Sequence, residues 1–387
     1  MNRRIFVQRM LTTLAVGGVA PSLLARTARA AAGGEKILVV VQLTGGNDAL
    51  NTLVPFRDRT YRSVRPNLAV DPAKVLDIGG GLGMHPSLRA LMPLWEQGRL
   101  ALIPAVGYPN PSRSHFVSMA VWHSADPERK ATSGWLGRWL DEEKDPFCAV
   151  DLDLSAPLAL RGRKMEGVAV GSLESFKLRL PLAALKRFEQ GLEAAYDGPL
   201  QATRNAMARL LTDTRRVQGL RPYQPAAEYP KGGFGSSLRD VARMIAGGLG
   251  ANVYYVTIGG FDTHADQLRR QPPLLEELAT GLSAFSQDLK ALGREDDVLI
   301  LGFSEFGRRV AENASGGTDH GKGGLMFAIG PNAGGLKGPG YDLDHLDGGD
   351  LRYQVDFRSV YAGAAAFIGA SPEQLFPEPQ PPLKLFG

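Results

Sequence analysis

Four stretches of the chain are apolar at nearly every position: residues 36–43 (KILVVVQL), 100–106 (LALIPAV), 251–258 (ANVYYVTI) and 297–303 (DVLILGF). Runs without a polar face, rich in β-branched residues, predict strands buried on both sides in a mostly parallel sheet. Each run ends in a turn-forming cluster: TGGND at 44–48, GYPNP at 107–111, GGFD at 259–262 and SEFG at 304–307. Between them, residues 87–97 and 274–292 space their apolar positions by three and four, which predicts amphipathic helices. Strand and helix alternating in this way predict an α/β chain, a three-layer α/β/α sandwich around that sheet. In open sheets of this kind, sites gather at the carboxyl ends of the strands.

The middle of the chain breaks the rhythm. Residues 125–235 carry charged helical stretches at 183–195 and 200–219 and a Pro-Tyr-Gln-Pro run at 222–225, and read as a helical insertion or lid over one edge of the sheet. The glycine run at 79–83 lacks the Lys-Ser/Thr ending of a phosphate loop and reads as a flexible loop. The proline-rich segment 372–382 reads as an extended strap.

The first thirty residues have a different character. Arg3 and Arg4 precede a weakly apolar stretch (11–24) and a small-x-small triplet, Ala28-Arg29-Ala30. That layout resembles a twin-arginine export signal, with Pro21 and paired glycines opposing a continuous helix. It predicts a leader at 1–30, passage through the twin-arginine translocation machinery, a mature domain at 31–387 and a periplasmic or secreted location. Composition narrows the class further. Of 387 residues, 44% are hydrophobic and 22% charged, which gives a globular chain with a full core. Forty-four basic residues against 40 acidic ones leave a net charge of +4, too small and dispersed for a nucleic-acid partner. Cys148 stands alone, so no internal disulfide forms. No run of about 18 apolar residues predicts a membrane span.

Only six histidines are present, and their positions carry the candidate chemistry. Asp48 follows the first predicted strand, Asp262 and His264 the third, Glu305 the fourth, and His320 lies beyond it. Carboxylates and imidazoles at several strand ends converge on one rim, which is how a divalent-metal site is assembled. Mixed oxygen and nitrogen ligands suit zinc, manganese or iron, and spacing alone names none of them. After the second strand comes Pro111-Ser112-Arg113-Ser114-His115, where a serine is either a nucleophile or a helix cap. Arg308 and Arg309 read as surface arginines, His345 as part of a solvated turn, and His85 and His123 as helix residues.

Four segments, VVVQLTGGNDALNTLVPF (39–56), YPNPSRSHF (108–116), GGFDTHADQ (259–267) and SEFGRRVAENASGGTDHGKGG (304–324), resemble the DUF1501 family of exported bacterial proteins. That family in turn resembles the alkaline phosphatase and sulfatase superfamily, which implies an alkaline-phosphatase-like sandwich with one or two divalent ions (zinc, manganese, iron or calcium). By that resemblance Asp48, Asp262, His264, Glu305 and His320 are metal ligands. Ser112 or Ser114 is the nucleophile, with Arg113 beside it, and Asn47, His115 and Lys322 contact substrate. Phe306 stands where the superfamily has a ligand of its second metal. Thr318-Asp319-His320-Gly321 is also similar to a metal motif of phosphoglycerate mutases. The implied activity is hydrolysis of phosphate or sulfate esters of a small molecule or glycan. The alternative is a binding or assembly protein that keeps the fold with a reduced or structural metal site.

Overall fold

A computed structural model describes residues 35–143, 145–174 and 214–385. The leader at 1–30, the expected helix at 183–195 and residues 200–213 of the one expected at 200–219 lie outside the described residues. Twelve strands are present among them. Nine form the main sheet: β1 (Ile37–Leu43), β5 (Leu100–Gly107), β6 (Ala149–Asp151), β7 (Val168–Ala169), β8 (Val253–Ile258), β9 (Val298–Ser304), β10 (Gly324–Ile329), β11 (Gly335–Leu336) and β12 (Val355–Asp356). Their order is β11-β5-β10-β9-β1-β8-β6-β7, with β12 also on β5. Every pairing is parallel except those of β10, which runs antiparallel to β5 and β9. A second sheet joins β2 (Leu53–Val54), β4 (Leu82–Met84) and β3 (Leu76–Gly79).

Strands β1, β5, β9 and β10 are buried at every position, as their apolar runs require. Burying a Val, Leu or Ile side chain contributes roughly 1.5–3 kcal/mol, so these runs hold the sheet between two helical layers. One face is covered by α3 (Met92–Glu96), α6 (Gly233–Gly247) and α7 (Gln267–Ala291), which bring residues such as Leu94, Leu238 and Leu278 against Val39 and Val41. The other carries α4 (His115–Ser124), α5 (Trp135–Glu143), α8 (Phe357–Phe367) and α9 (Pro372–Leu375), whose Trp122, Trp135 and Tyr361 pack on Leu38, Val40 and Phe303. Two short helices, α1 (Ala49–Thr52) and α2 (Arg59–Val64), follow β1 and β2. No described helix is long and apolar enough to cross a membrane.

Several local expectations change. Within the described part of residues 125–235, β6 and β7 extend the main sheet, while α5 and α6 cover opposite faces. Helix α7 begins at Gln267, ahead of Pro272 and Pro273, instead of after them. The buried amides of Gln267 and Gln271 donate to Asp48 and Asn47, and these tertiary bonds offset what the prolines cost the ladder. The helix expected at 87–97 is a 3-10 turn, Pro86–Leu91, followed by α3, with Pro93 at the junction. The glycine run is the tight β3–β4 hairpin turn, not a flexible loop. The expected strap contains α9.

Register sets the site. Leu43 pairs with Ile258 on one side and Ser304 on the other, so the loops after β1, β8 and β9 leave the sheet at one level. Because β10 runs the other way, the segment before it, 319–323, arrives on the same rim. Opposite Gly324 stands Val106, at the carboxyl end of β5, from which the chain runs to α4.

Candidate metal centre

Three loops are pinned together by one side chain. Arg308 is buried, with its side chain at 0% exposure. Its Nε donates to the Gly46 carbonyl at 2.6 Å and its Nη1 to the Thr318 carbonyl at 2.8 Å. Nη2 reaches the carbonyls of Gly45 and Phe261 and the Asp262 Oδ1 at 2.7 Å. Gly45 makes the approach of the β1 and β8 loops feasible, since a Cβ there would lie 2.3 Å from the Asp262 nitrogen. The arginine expected at the surface is thus the clamp of the rim. Its acceptors come from distant parts of the chain, so no local signal announces it.

Above the clamp, Asp262 is surrounded by imidazoles. Its Oδ2 lies 3.6 Å from His115 Nε2, and its Oδ1 lies 3.2 Å from His320 Nε2 and 3.3 Å from His264 Nε2. The His264 and His320 Nε2 atoms are 2.9 Å apart. Each ring has an oxygen acceptor behind it. His115 Nδ1 faces Glu305 Oε1 at 2.8 Å, His320 Nδ1 the Arg113 carbonyl at 2.8 Å, and His264 Nδ1 the Asp319 Oδ1 at 3.3 Å. Those acceptors assign the protons to Nδ1 and turn the Nε2 lone pairs inward. Burial alone would raise the Asp262 carboxyl, but the Arg308 guanidinium, through its hydrogen bond and its charge, outweighs it and holds the group at about 2. Burial also keeps the His320 ring below its usual value, hence neutral at pH 7. Asp319 is held low by the Asn313 amide, against a smaller opposing effect of burial, with further help from His264.

Lone pairs and a carboxylate converging on one point are a donor set of the kind that holds a cation. Donor atoms of His115, Asp262 and His320 all lie within 4.8 Å of one another. Two ligands at ordinary zinc distances from a tetrahedral ion are about 3.3 Å apart, so the spacing fits a small divalent ion. The arrangement also has the usual outer layer of such centres, a carboxylate behind a ligating histidine. Phe306 closes the floor, its ring centroid 5.0 Å from that of His115 and 4.5 Å from that of His320.

The other candidates sit elsewhere. Asp48 is 1% exposed and bound through both oxygens to Arg65, at 2.6 and 3.1 Å, with Gln267 and the Leu50 N–H completing its shell. It stands in a structural ion pair, outside the imidazole cluster. Glu305 is fully buried behind His115, accepting also from the Gly45 N–H and Ser304 Oγ, so it orients a ring and does not face the centre. Asn47 is consumed by Thr52, Ser304 and Gln271, and Lys322 pairs with Asp347 at 2.5 Å. Ser112 Oγ accepts from the Ser114 N–H at 3.2 Å, and Ser114 caps α4 without a side-chain bond. Neither hydroxyl is hydrogen-bonded to the cluster, although Ser114 immediately precedes His115. His115 itself, expected at the substrate, is inside the cluster. His85 caps a 3-10 turn, and His123 bonds to Gln42 in the core.

Fold and site together define an α/β sandwich protein with a histidine–carboxylate centre on the carboxyl rim of its sheet. The chain belongs to the DUF1501 family, described as proteins of unknown function, whose model matches residues 35–380. No curated protein matches it. Among solved structures it is similar to the C-terminal periplasmic domain of EptC from Escherichia coli in complex with zinc, at 10% identity and a TM-score of 0.36, over 77% of this chain and 73% of that one. It is also similar to the PsFucS1 sulfatase from Pseudoalteromonas sp., at 11% identity and TM-score 0.37, over 91% and 71% of the two chains. A third is the lipoteichoic acid synthase LtaP from Listeria monocytogenes, at 10% identity and TM-score 0.36, over 90% and 76%.

Proposed function

We propose that this protein is an exported, metal-dependent hydrolase of phosphate or sulfate esters. The observation that carries this reading is the set of inward-facing donor atoms on His115, Asp262 and His320. Export rests on the arginine pair and small-x-small triplet of residues 1–30. His115, Asp262 and His320 would hold a divalent ion, which would supply polarisation of the ester and a lowered pKa for an adjacent hydroxyl. Around it the chain's own groups have separate tasks. Glu305 and the Arg113 carbonyl hold the His115 and His320 rings with Nε2 forward. Arg308 keeps Asp262 ionised and in place. Ser112 and Ser114, at the turn leading into His115, are the candidate nucleophilic hydroxyls, and His264 stands at the open side of the centre.

The test is hydrolysis of aryl phosphate and aryl sulfate esters by the metal-loaded mature protein, alongside Ser112→Ala, Ser114→Ala and His320→Ala. The reading expects turnover that disappears in His320→Ala and in one serine variant, each still folded. A second reading, an exported binding protein with a structural ion, is favoured by the lack of any hydrogen bond from either serine hydroxyl to the cluster. Bound metal without turnover on either ester class would select it.

A further inference from the structure

Beside the centre, two guanidinium groups meet at one buried carboxylate. Asp350 is 0% exposed, in a turn closed by reciprocal backbone bonds with Asp347 at 2.9 and 3.2 Å. Its Oδ2 accepts from Arg113 Nη2, and its Oδ1 faces Arg309 Nε at 3.6 Å. The backbones of both arginines are tied to the segment that carries His320. The Arg113 carbonyl accepts from His320 Nδ1, and the Arg309 N–H donates to the Asp319 carbonyl at 2.9 Å. Arg309 Nη2 also donates to the Gly348 carbonyl at 2.7 Å, and its guanidinium lies across Gly349. A Cβ at Gly349 would come within 2.6 Å of Nη2, and its φ of +86° suits glycine alone.

This is a costly way to decorate a surface. Removing a carboxylate from water is unfavourable, and a surface arginine needs no such anchor. The anchor does bring together two guanidinia that would otherwise repel, leaving a net positive charge. Both side chains stay partly open, at 46% and 39% exposure. Each guanidinium has five donors, and Arg113 Nε and Nη1 and Arg309 Nη1 have no acceptor among the described residues. The neighbouring Lys322 is already matched by Asp347. Planar forks with spare donors are suited to tetrahedral oxyanions.

We propose that Arg113, Arg309 and Asp350 form an anion subsite that takes the non-reacting oxygens of a phosphate or sulfate group. The inference rests on the ester reading of the adjoining centre, but it concerns binding and needs no turnover to test. The experiment is calorimetric titration of inorganic phosphate into the mature protein, with and without metal, for the native chain, Arg309→Gln and Arg309→Lys. Arg309→Gln is expected to weaken phosphate binding about tenfold or more, since a bond to a charged group is lost, with metal content and the far-ultraviolet circular dichroism spectrum unchanged. Arg309→Lys should recover part of the loss by restoring charge without the fork. Equal affinity in the native and Arg309→Gln proteins, or no phosphate binding by the native one, overturns the subsite. Metal-loaded protein that hydrolyses esters yet is indifferent to Arg309 overturns the subsite alone. Arginine-dependent phosphate binding by protein that takes no metal supports the subsite while the hydrolase reading fails.

Discussion

A carboxylate behind a histidine fixes the tautomer and raises the basicity of the forward nitrogen. Glu305 stands in that relation to His115, so Glu305→Gln is expected to weaken divalent-ion binding about tenfold or more, read by chelator competition. Unchanged affinity would mean that Glu305 does not orient the ring. Asp48 gives the complementary case. Arg65→Met strands its carboxylate in the interior and is expected to cost about 3–5 kcal/mol in denaturant unfolding, with metal bound per folded chain unchanged. The place of Asp262 and His264 on this rim was legible because both follow a strand directly. The roles of Glu305 and Asp48 were not, since a carboxylate in a strand-end turn reads alike whether it faces an ion, a ring or an arginine. Partners decide between these, and they lie 190 residues away for Glu305 and 17 for Asp48.

Elements set the pH response. At the carboxyl end of β6, Asp151 is buried with Oδ1 unpartnered, and burial pushes its carboxyl from 3.8 up to about 7. The folded state therefore binds a proton there that the unfolded chain releases, and this contribution to stability is full below pH 3.8 and declines as pH rises to about 7. On α4, burial lowers His123 from 6.5 to about 4, and at the turn before α3 it does the same to His85. Those rings are bound neutral, so their contribution is lost as pH falls from 6.5 through about 4. The two effects oppose each other between pH 4 and 6.5 in the native chain. Asp151→Asn is expected to raise the melting temperature above pH 7 and to expose the acid-labile limb of the histidines. A profile parallel to that of the native chain would show that Asp151 does not titrate in this way. The strands bearing these groups differed in legibility. The long runs of β1, β5, β8 and β9 declare themselves, whereas β6 and β7 are two or three residues long and gain their strand character only by pairing with β8 and each other.

For the whole molecule, alternating apolar strands and amphipathic helices were enough to predict the sandwich and the rim on which chemistry would gather. They could not predict the reversed direction of β10, which brings His320 back over β9, nor the buried arginine that joins the loops of β1 and β8 to Thr318. Both features depend on how the elements meet, and both shape the centre. Phe306 packs against two of its rings, and Arg308 already binds one oxygen of Asp262. On the proposed reading, the centre therefore takes a single ion. Elemental analysis of the mature protein, purified without chelator or metal-affinity resin, tests this most directly when run beside Asp262→Asn and His320→Ala. The account predicts about one divalent ion per native chain and little in either variant, all three remaining folded. A native protein that binds none after reloading, or variants that retain the full content, would contradict it.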